Sequence, residues 1–377
     1  MGEKDGHRDM YRMDAICPGR TGPEPVPNIE LPRTIVIGEG AVDSVPDVLK
    51  KLNLSGNTYI VTGRRTNKAA GEKIAGMLEA GGRKCGTYIS EKASPEEIEA
   101  ITDTVFGGEP CCLLGVGSGR SIDLAKLAST KLGIPFLSIP TAASHDGIVS
   151  SRASIHSSRE SKSVEAQPPM AVIADTALIA KAPYELLAAG CGDIISNHTS
   201  VLDWELASRL RNEPFNAVAS SMALMSAELI MDSADLIHPG KTADPTPDAA
   251  RLVVQALVTS GMAMSFAGSS RPASGAEHMF GHALDHITKK PALHGVQCAV
   301  GSIMTMYLHG GDWNRIRDTM IRLGIPTSAA EMGIPDEDII NALLAAPSIR
   351  PERYTILGKG LTRSAAEKAA RITQVID

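Results

Sequence analysis

From Leu31 to Pro183 the apolar positions fall into short β-branched runs separated by longer stretches with helical spacing. The runs Thr34–Ile37, Thr58–Thr62, Thr87–Ile89, Cys112–Val116, Phe136–Ile139 and Ala171–Ala174 predict strands. Between them Val42–Leu52, Asn67–Ala80, Pro95–Val105 and Ser121–Leu132 predict helices. Such alternation implies an α/β domain with a parallel sheet and helices on both faces. Ligands on sheets of this kind sit at the carboxyl ends of the strands, near glycine-rich turns.

After Pro183 the pattern changes. Stretches rich in Ala, Leu, Met and Ser at Tyr184–Leu210, Ala217–Ser233, Asp248–Ala267, Gly275–Thr288, Val296–Leu308 and Trp313–Leu323 predict helices, with almost no strand-like alternation. An all-α second domain is expected. The division is then a polar segment at 1–30, an α/β domain at 31–185 and a helical domain at 186–377, with the site in the cleft between the folded parts.

Composition narrows the class. A chain of 377 residues, 43% hydrophobic and 21% charged, is long enough for two domains and a substantial core. Aromatics at 3% and a net charge of −6 argue against a nucleic-acid partner, which needs stacking platforms and a basic track. Cys17, Cys85, Cys111, Cys112, Cys191 and Cys298 are scattered without paired-ligand spacing and read as reduced thiols of a cytoplasmic protein. No apolar run approaches the roughly 20 residues of a bilayer span, so membrane insertion is not expected. Met1 to about Asn28 lacks the apolar core of a signal peptide and reads as a flexible lead-in. The fifteen methionines suit helix-on-helix packing, and the Ala- and Met-rich helices leave room for a homo-oligomer interface.

Three segments can carry chemistry. Gly115-Val-Gly117-Ser118-Gly119-Arg120-Ser121-Ile122-Asp123 follows an apolar strand and opens a helix near Ser121. Its glycines let amides approach a phosphate, and the helix start favours an anion. It meets neither the GxGxxG nor the Walker fingerprint, so an unliganded βα turn remains open. Pro140-Thr141-Ala142-Ala143-Ser144-His145-Asp146-Gly147 brings two hydroxyls and a carboxylate off a strand end, where turn and cap chemistry is the plain alternative.

The third segment holds four of the chain's ten histidines. His278, His282 and His286 share one helical face, Ser274 and Glu277 read as a capping box before them, and His294 follows the Lys289-Lys290-Pro291 turn. Imidazoles on a helix and after the next turn can meet at one ion. Asp193, beside the glycine pair Gly190 and Gly192, is the candidate oxygen ligand. Asp193, His278 and His294 then make a three-ligand metal site with an open position, as a catalytic ion requires. Cys191 is discounted as packing. The absence of a GxSxG elbow sets a Ser–His–Asp hydrolase aside.

Taken together these motifs resemble the glycerol dehydrogenase branch of the iron-containing alcohol dehydrogenase superfamily. The match runs from Leu31-Pro-Arg33 through Gly117–Asp123, Pro140–Gly147, Gly192–Asn197, Ser274–His282 and Leu293-His-Gly295 to Arg353–Leu357. The resemblance implies a Rossmann-like nucleotide domain followed by a helical metal-binding domain. It implies that Gly117, Ser118, Gly119, Arg120, Ser121, Ile122 and Asp123 cradle the diphosphate of NADH or NADPH. Thr141, Ala142, Ala143, Ser144 and Ser150 would contact the nucleotide further along. It implies zinc on Asp193, His278 and His294, with Asp146, Asp193 and His282 facing the substrate.

Iron-using relatives carry a histidine four residues after the aspartate; here that position is Asn197, which favours zinc, and His198 lies one step off the face. The implied reaction is reversible reduction of dihydroxyacetone phosphate to glycerol 1-phosphate, a precursor of archaeal membrane lipids. Gly63-Arg64-Arg65 after the second strand lacks the carboxylate that selects NAD, so NADPH is expected to be accepted. The substrate phosphate could meet Arg152, Lys162, Lys289 or Lys290. Alternatives are a glycerol dehydrogenase for unphosphorylated substrate, a dehydroquinate-synthase-like lyase, and a non-catalytic metal protein.

Overall fold

The computed structural model describes residues 29–156, 161–238 and 245–377. The lead-in at 1–28, with Cys17, lies outside them. Strands β1 (Thr34–Gly38), β2 (Asn57–Thr62), β3 (Cys85–Ile89), β4 (Pro110–Gly117), β5 (Phe136–Pro140) and β8 (Ala171–Asp175) form one sheet in the order β1-β8-β5-β4-β2-β3. Every pairing in it is parallel. The chain runs outward from β2 to β3, returns to β4 beside β2, and continues on the other side to β5. The carboxyl ends of β2 and β4 therefore flank a crevice of the kind in which open parallel sheets hold ligands.

Successive residues of β4 point to opposite faces of the sheet. Leu114 and Val116 join Ile60, Val45 and Leu49 in one apolar cluster. Leu113 joins Val61, Ile122 and Phe136 in another, which continues without a break into Ile194, Val254, Phe280, Val300 and Leu343 of the helical half. The two halves are thus welded by shared core rather than by a polar seam.

All six predicted strands are present. A further antiparallel hairpin, β6 (Arg152–His156) with β7 (Ser161–Glu165), was not predicted: its run is largely polar and carries little apolar alternation. The phosphate-turn helix begins at Gly119 rather than near Ser121. The predicted stretch Tyr184–Leu210 is two helices, Tyr184–Ile195 and Asn197–Arg211, meeting at Ser196. Helices Asp336–Ile349 and Arg363–Ile372 close the chain and were also not predicted.

One helix corrects the expectation about apolar runs. Pro247–Ala267 has 21 residues, and its most apolar 18-residue stretch has a mean hydropathy of 1.3, enough by length and composition to cross a bilayer, yet 61% of that stretch is buried within the protein. It is a core helix, packed on Ala217–Asp232.

Three glycines set the helix spacing around the site. A Cβ on Gly190 would lie 2.1 Å from the Ala143 carbonyl oxygen, and one on Gly192 2.5 Å from that of Gly295. A Cβ on Gly295 would lie 1.9 Å from the Ala189 carbonyl oxygen. The helices Tyr184–Ile195 and His294–Leu308 therefore touch backbone to backbone, which brings Asp193 beside His294. Gly295→Ala is expected to destabilise the fold by about 1–3 kcal/mol through overpacking and to pull His294 away from Asp193. Urea unfolding and metal content measure both; an unchanged midpoint with full metal content contradicts this packing.

Candidate active site

A cleft of about 1330 Å³ runs from the carboxyl end of β4 to the histidine helix. At one end Gly117 adopts φ +153°, a left-handed value that favours glycine, and its missing Cβ leaves room for Ser121 and Thr66. Ser118 sits extended at the start of helix Gly119–Leu132, and no side chain caps the first turn. That leaves amides at the positive end of a helix dipole free to meet an anion. Ser118, Gly119, Arg120 and Asp123 line the cleft, whereas Ser121 and Ile122 are buried behind it. The Asp123 carboxylate also accepts from the Ser154 amide at 3.1 Å, tying this helix to β6.

Thr141, Ala142 and Ala143 are buried, with the Thr141 amide donating to the Gly117 carbonyl at 2.9 Å; Ser144 and Ser150 reach the cleft. The His145 ring lies against Gly119, where a Cβ would come within 1.9 Å of its Nε2. Arg64 is held by Glu91 at 2.6 Å and Arg65 is exposed. Glu91, which follows β3, lines the cleft. Arg120 donates to the Glu91 carbonyl at 2.6 Å.

At the other end Asp193, His278, His294 and Cys298 offer ligand atoms all within 4.8 Å of one another. His278 and His282 lie on helix Ala276–Ile287, and His294 is the first residue of the next long helix. His278 Nε2 faces Asp193 Oδ1 at 3.5 Å, while its Nδ1 meets Glu277 Oε1 at 2.9 Å. With Nδ1–H donated to Glu277, the Nε2 lone pair and the Asp193 carboxylate confront each other, two donors that need a cation between them. A second set, His282, Asp285 and His294, shares His294, with His282 Nδ1 3.7 Å from Asp285. Its imidazole has no partner that fixes the ring as Glu277 fixes His278.

The electrostatics point the same way. Burial opposes charge on His278, but Cys298, Asp193 and Glu277 outweigh it and hold its pKa well above the usual imidazole value. Burial pushes His294 down to about 3, helped by His282 and His278. Burial also lowers His282. Burial and the Asp193 charge raise Asp146 to about 7. A bound metal ion would take these imidazoles in their neutral form and the Asp193 carboxylate ionised.

Glu277 is the hub behind this geometry. It is fully buried and accepts from Ser200 Oγ at 2.6 Å, Thr199 Oγ1 at 3.0 Å and the Gly275 amide at 2.6 Å as well as from His278. Burial alone would raise it, but His278 and these donors hold it down to about 2. The expected capping box does not form: the helix is capped from Gly275, and Ser274 makes no cap. The Ala276 amide instead donates to Asp203 Oδ2 at 2.7 Å, a residue distant in sequence. Asp203 also receives the Ile356 amide at 2.6 Å and His309 Nε2 at 3.0 Å, which locks the segment after Arg353 onto the site.

Asp146 is anchored beside the cluster: its amide donates to Asp193 Oδ2 at 3.0 Å and its carboxylate accepts from Ser260 at 2.8 Å. Asn197 is buried and spends its amide on Ser226 and Ser260, away from the cluster. His198 faces Glu228 at 3.0 Å, His286 is exposed, and Cys191 is core. Lys289 and Lys290 are exposed, and the Lys162 side chain lies outside the described positions. Arg350, which lines the cleft, and Cys298, buried in the ligand cluster, were missed as site residues by the sequence reading. Cys298 had a signal, one helical turn after His294, with Sγ 3.5 Å from Nε2.

These features define a class. The sequence pattern of the family described as iron-containing alcohol dehydrogenase matches residues 36–183. A probable glycerol dehydrogenase from Sinorhizobium meliloti shares the fold with a TM-score of 0.76 at 20% identity, covering 92% of this chain and 98% of that one. The glycerol dehydrogenase from Schizosaccharomyces pombe does so with 0.77 at 20%, covering 93% and 91%.

The chain belongs to the glycerol-1-phosphate dehydrogenase family. The enzyme of that name, NAD(P)+-specified, from Methanosarcina mazei is 57% identical over 93% of this chain and 97% of its own length. The one from Methanothermobacter thermautotrophicus is 50% identical over 92% and 99%.

Proposed function

We propose that this protein catalyses the reversible, NAD(P)H-dependent reduction of dihydroxyacetone phosphate to glycerol 1-phosphate. The observation that carries the reading is the meeting, in one cleft, of the uncapped Gly119 turn and the buried Asp193–His278–His294 cluster, in a chain 57% identical to a glycerol-1-phosphate dehydrogenase. Asp193, His278 and His294 would hold zinc. When bound, the ion supplies a Lewis acid that polarises the ketone and stabilises negative charge on its oxygen.

The protein's own groups do the rest. Amides of Ser118 to Arg120 receive the cofactor diphosphate, and Ser144 and Ser150 contact the nucleotide on its way to the cluster. Asp146, anchored through Ser260, orients a substrate hydroxyl. The imidazole of His282, kept neutral by burial, passes the proton to and from the substrate oxygen. Glu277 fixes the ring of His278 from behind.

A reducing, cytoplasmic location agrees with the five free cysteines among the described residues. The exposed Val218, Met225 and Leu229 on one helix support assembly of several copies.

The test is NADPH oxidation with dihydroxyacetone phosphate against dihydroxyacetone. A strong preference for the phosphate is expected. Equal or better use of the unphosphorylated ketone moves the protein to glycerol dehydrogenase chemistry, and no oxidation of NADPH or NADH with either ketone contradicts the assignment as a dehydrogenase.

A further inference from the structure

The cleft that holds His282 is also lined by Arg152, Ser270, Ser274 and Arg350. Arg350 is half-buried, and its Nη1 donates to Ser270 Oγ at 3.3 Å. Among the described residues no carboxylate lies within ion-pair distance of Arg350 or Arg353. Among the described residues Arg152 reaches only the carboxylate of Glu165, at 4.0 Å, and that side chain is 86% exposed. The Arg152 Nε is buried with no hydrogen-bond partner among the described residues. By contrast Arg271, deeper in, is neutralised by a two-pronged contact with Glu213. One pocket wall therefore carries guanidinium charge that the protein leaves uncompensated.

Such crowding is costly in a partly buried place unless an anion relieves it. Burial and the charge of Arg152 lower the pKa of Arg350, and burial with Arg350 and Arg271 pushes Arg353 down to about 9. The Arg350 charge is felt at His282, so this wall belongs to the reacting end of the cleft and not to the Gly119 turn.

The wall is also built rigidly. Arg353 donates to the Ser274 carbonyl and, at 2.9 Å, to Ser270 Oγ, so Ser270 is held between two guanidinium groups. On the facing element the fully buried Lys126 donates to the Gly147 carbonyl at 2.6 Å and to the Arg152 carbonyl. One ammonium thereby fastens the Asp146 turn and the start of β6 to the nucleotide helix.

We propose that Arg350 and Arg152, with the Ser270 hydroxyl between Arg350 and Arg353, bind the phosphate group of the substrate, a phosphate monoester dianion. Planar guanidinium groups match phosphate oxygens in two-point contacts. Arg353 and Lys126 are positioning residues that hold the two arginines in place. The inference rests on the glycerol-phosphate reading above and says how that substrate is told from its unphosphorylated counterpart.

The experiment compares wild type, Arg350→Met, Arg350→Lys and Arg152→Gln, all metal-loaded, with dihydroxyacetone phosphate and dihydroxyacetone as substrates. NADPH binding by fluorescence reports folding. In Arg350→Met, kcat/KM for the phosphorylated ketone is expected to fall about 30–100-fold more than that for dihydroxyacetone, mostly through KM. Arg152→Gln shows the same selective loss, smaller in size, and Arg350→Lys recovers part of it. Inorganic phosphate competes with dihydroxyacetone phosphate in the wild type and loses potency in parallel.

Equal losses with both ketones in Arg350→Met and Arg152→Gln, or unchanged phosphate preference in either, overturn the assignment. Should Arg350→Met fail to bind NADPH, Arg152→Gln and inhibition by inorganic phosphate decide. A wild-type enzyme indifferent to the phosphate overturns the glycerol-phosphate reading itself, a different outcome from a selective enzyme whose selectivity ignores these arginines.

Discussion

His278→Ala is expected to leave the protein without bound metal and to lower kcat/KM by about 10⁴-fold, the equivalent of several kcal/mol of lost charge stabilisation in the transition state. The reason is geometric. His278 is the ligand that Glu277 orients from behind, at 2.9 Å, and that faces Asp193 at 3.5 Å. Without it Asp193 and His294 offer too few donors to hold an ion in a buried pocket. NADPH binding should survive, because the Gly117–Asp123 turn opens a different helix from the one that carries His278. Metal analysis, steady-state kinetics and NADPH fluorescence separate these effects. A variant that is fully active and metal-loaded would remove His278 from the site.

Glu277→Ala should rank next. The carboxylate is fully buried, and its loss strands Ser200 Oγ, Thr199 Oγ1, the Gly275 amide and His278 Nδ1 at once. Breaking a buried charged network of this kind costs about 3–5 kcal/mol. The loosened His278 ring should also weaken metal affinity by about 10–100-fold. Glu277→Gln keeps one acceptor and should lie between. Denaturant unfolding and metal titration are the readouts; wild-type stability with wild-type affinity would mean that Glu277 is only a cap.

Much of this was legible in the chain because the informative spacings are local. β-branched runs bounded by glycine turns reveal the parallel strands, since period and punctuation act over a few residues. His278 and His282 are one helical turn apart, and Asp193 stands out as an ionisable group among Gly, Ile and Cys. What stayed hidden depends on contacts between distant segments. Asp203 caps the histidine helix in place of Ser274, and no pattern near either residue announces it. Arg350 and Arg152 share a wall although nearly two hundred residues separate them. The β6–β7 hairpin is polar enough to read as loop, and its strands are fixed by Asp123 and Lys126 of another element. Glycines 190, 192 and 295 lie within helices, where they permit a backbone contact between segments that no local pattern announces.

The central claim is that one metal ion, held by Asp193, His278 and His294, serves the carbonyl end of a cleft whose other end holds NAD(P)H. NADPH oxidation with dihydroxyacetone phosphate tests it most directly, followed on one preparation as isolated, after chelation to a metal-free state, and after return of one equivalent of zinc per chain. The account predicts turnover that disappears on chelation and returns with the single equivalent, while NADPH affinity stays constant throughout. Undiminished turnover by protein verified to be metal-free would contradict it.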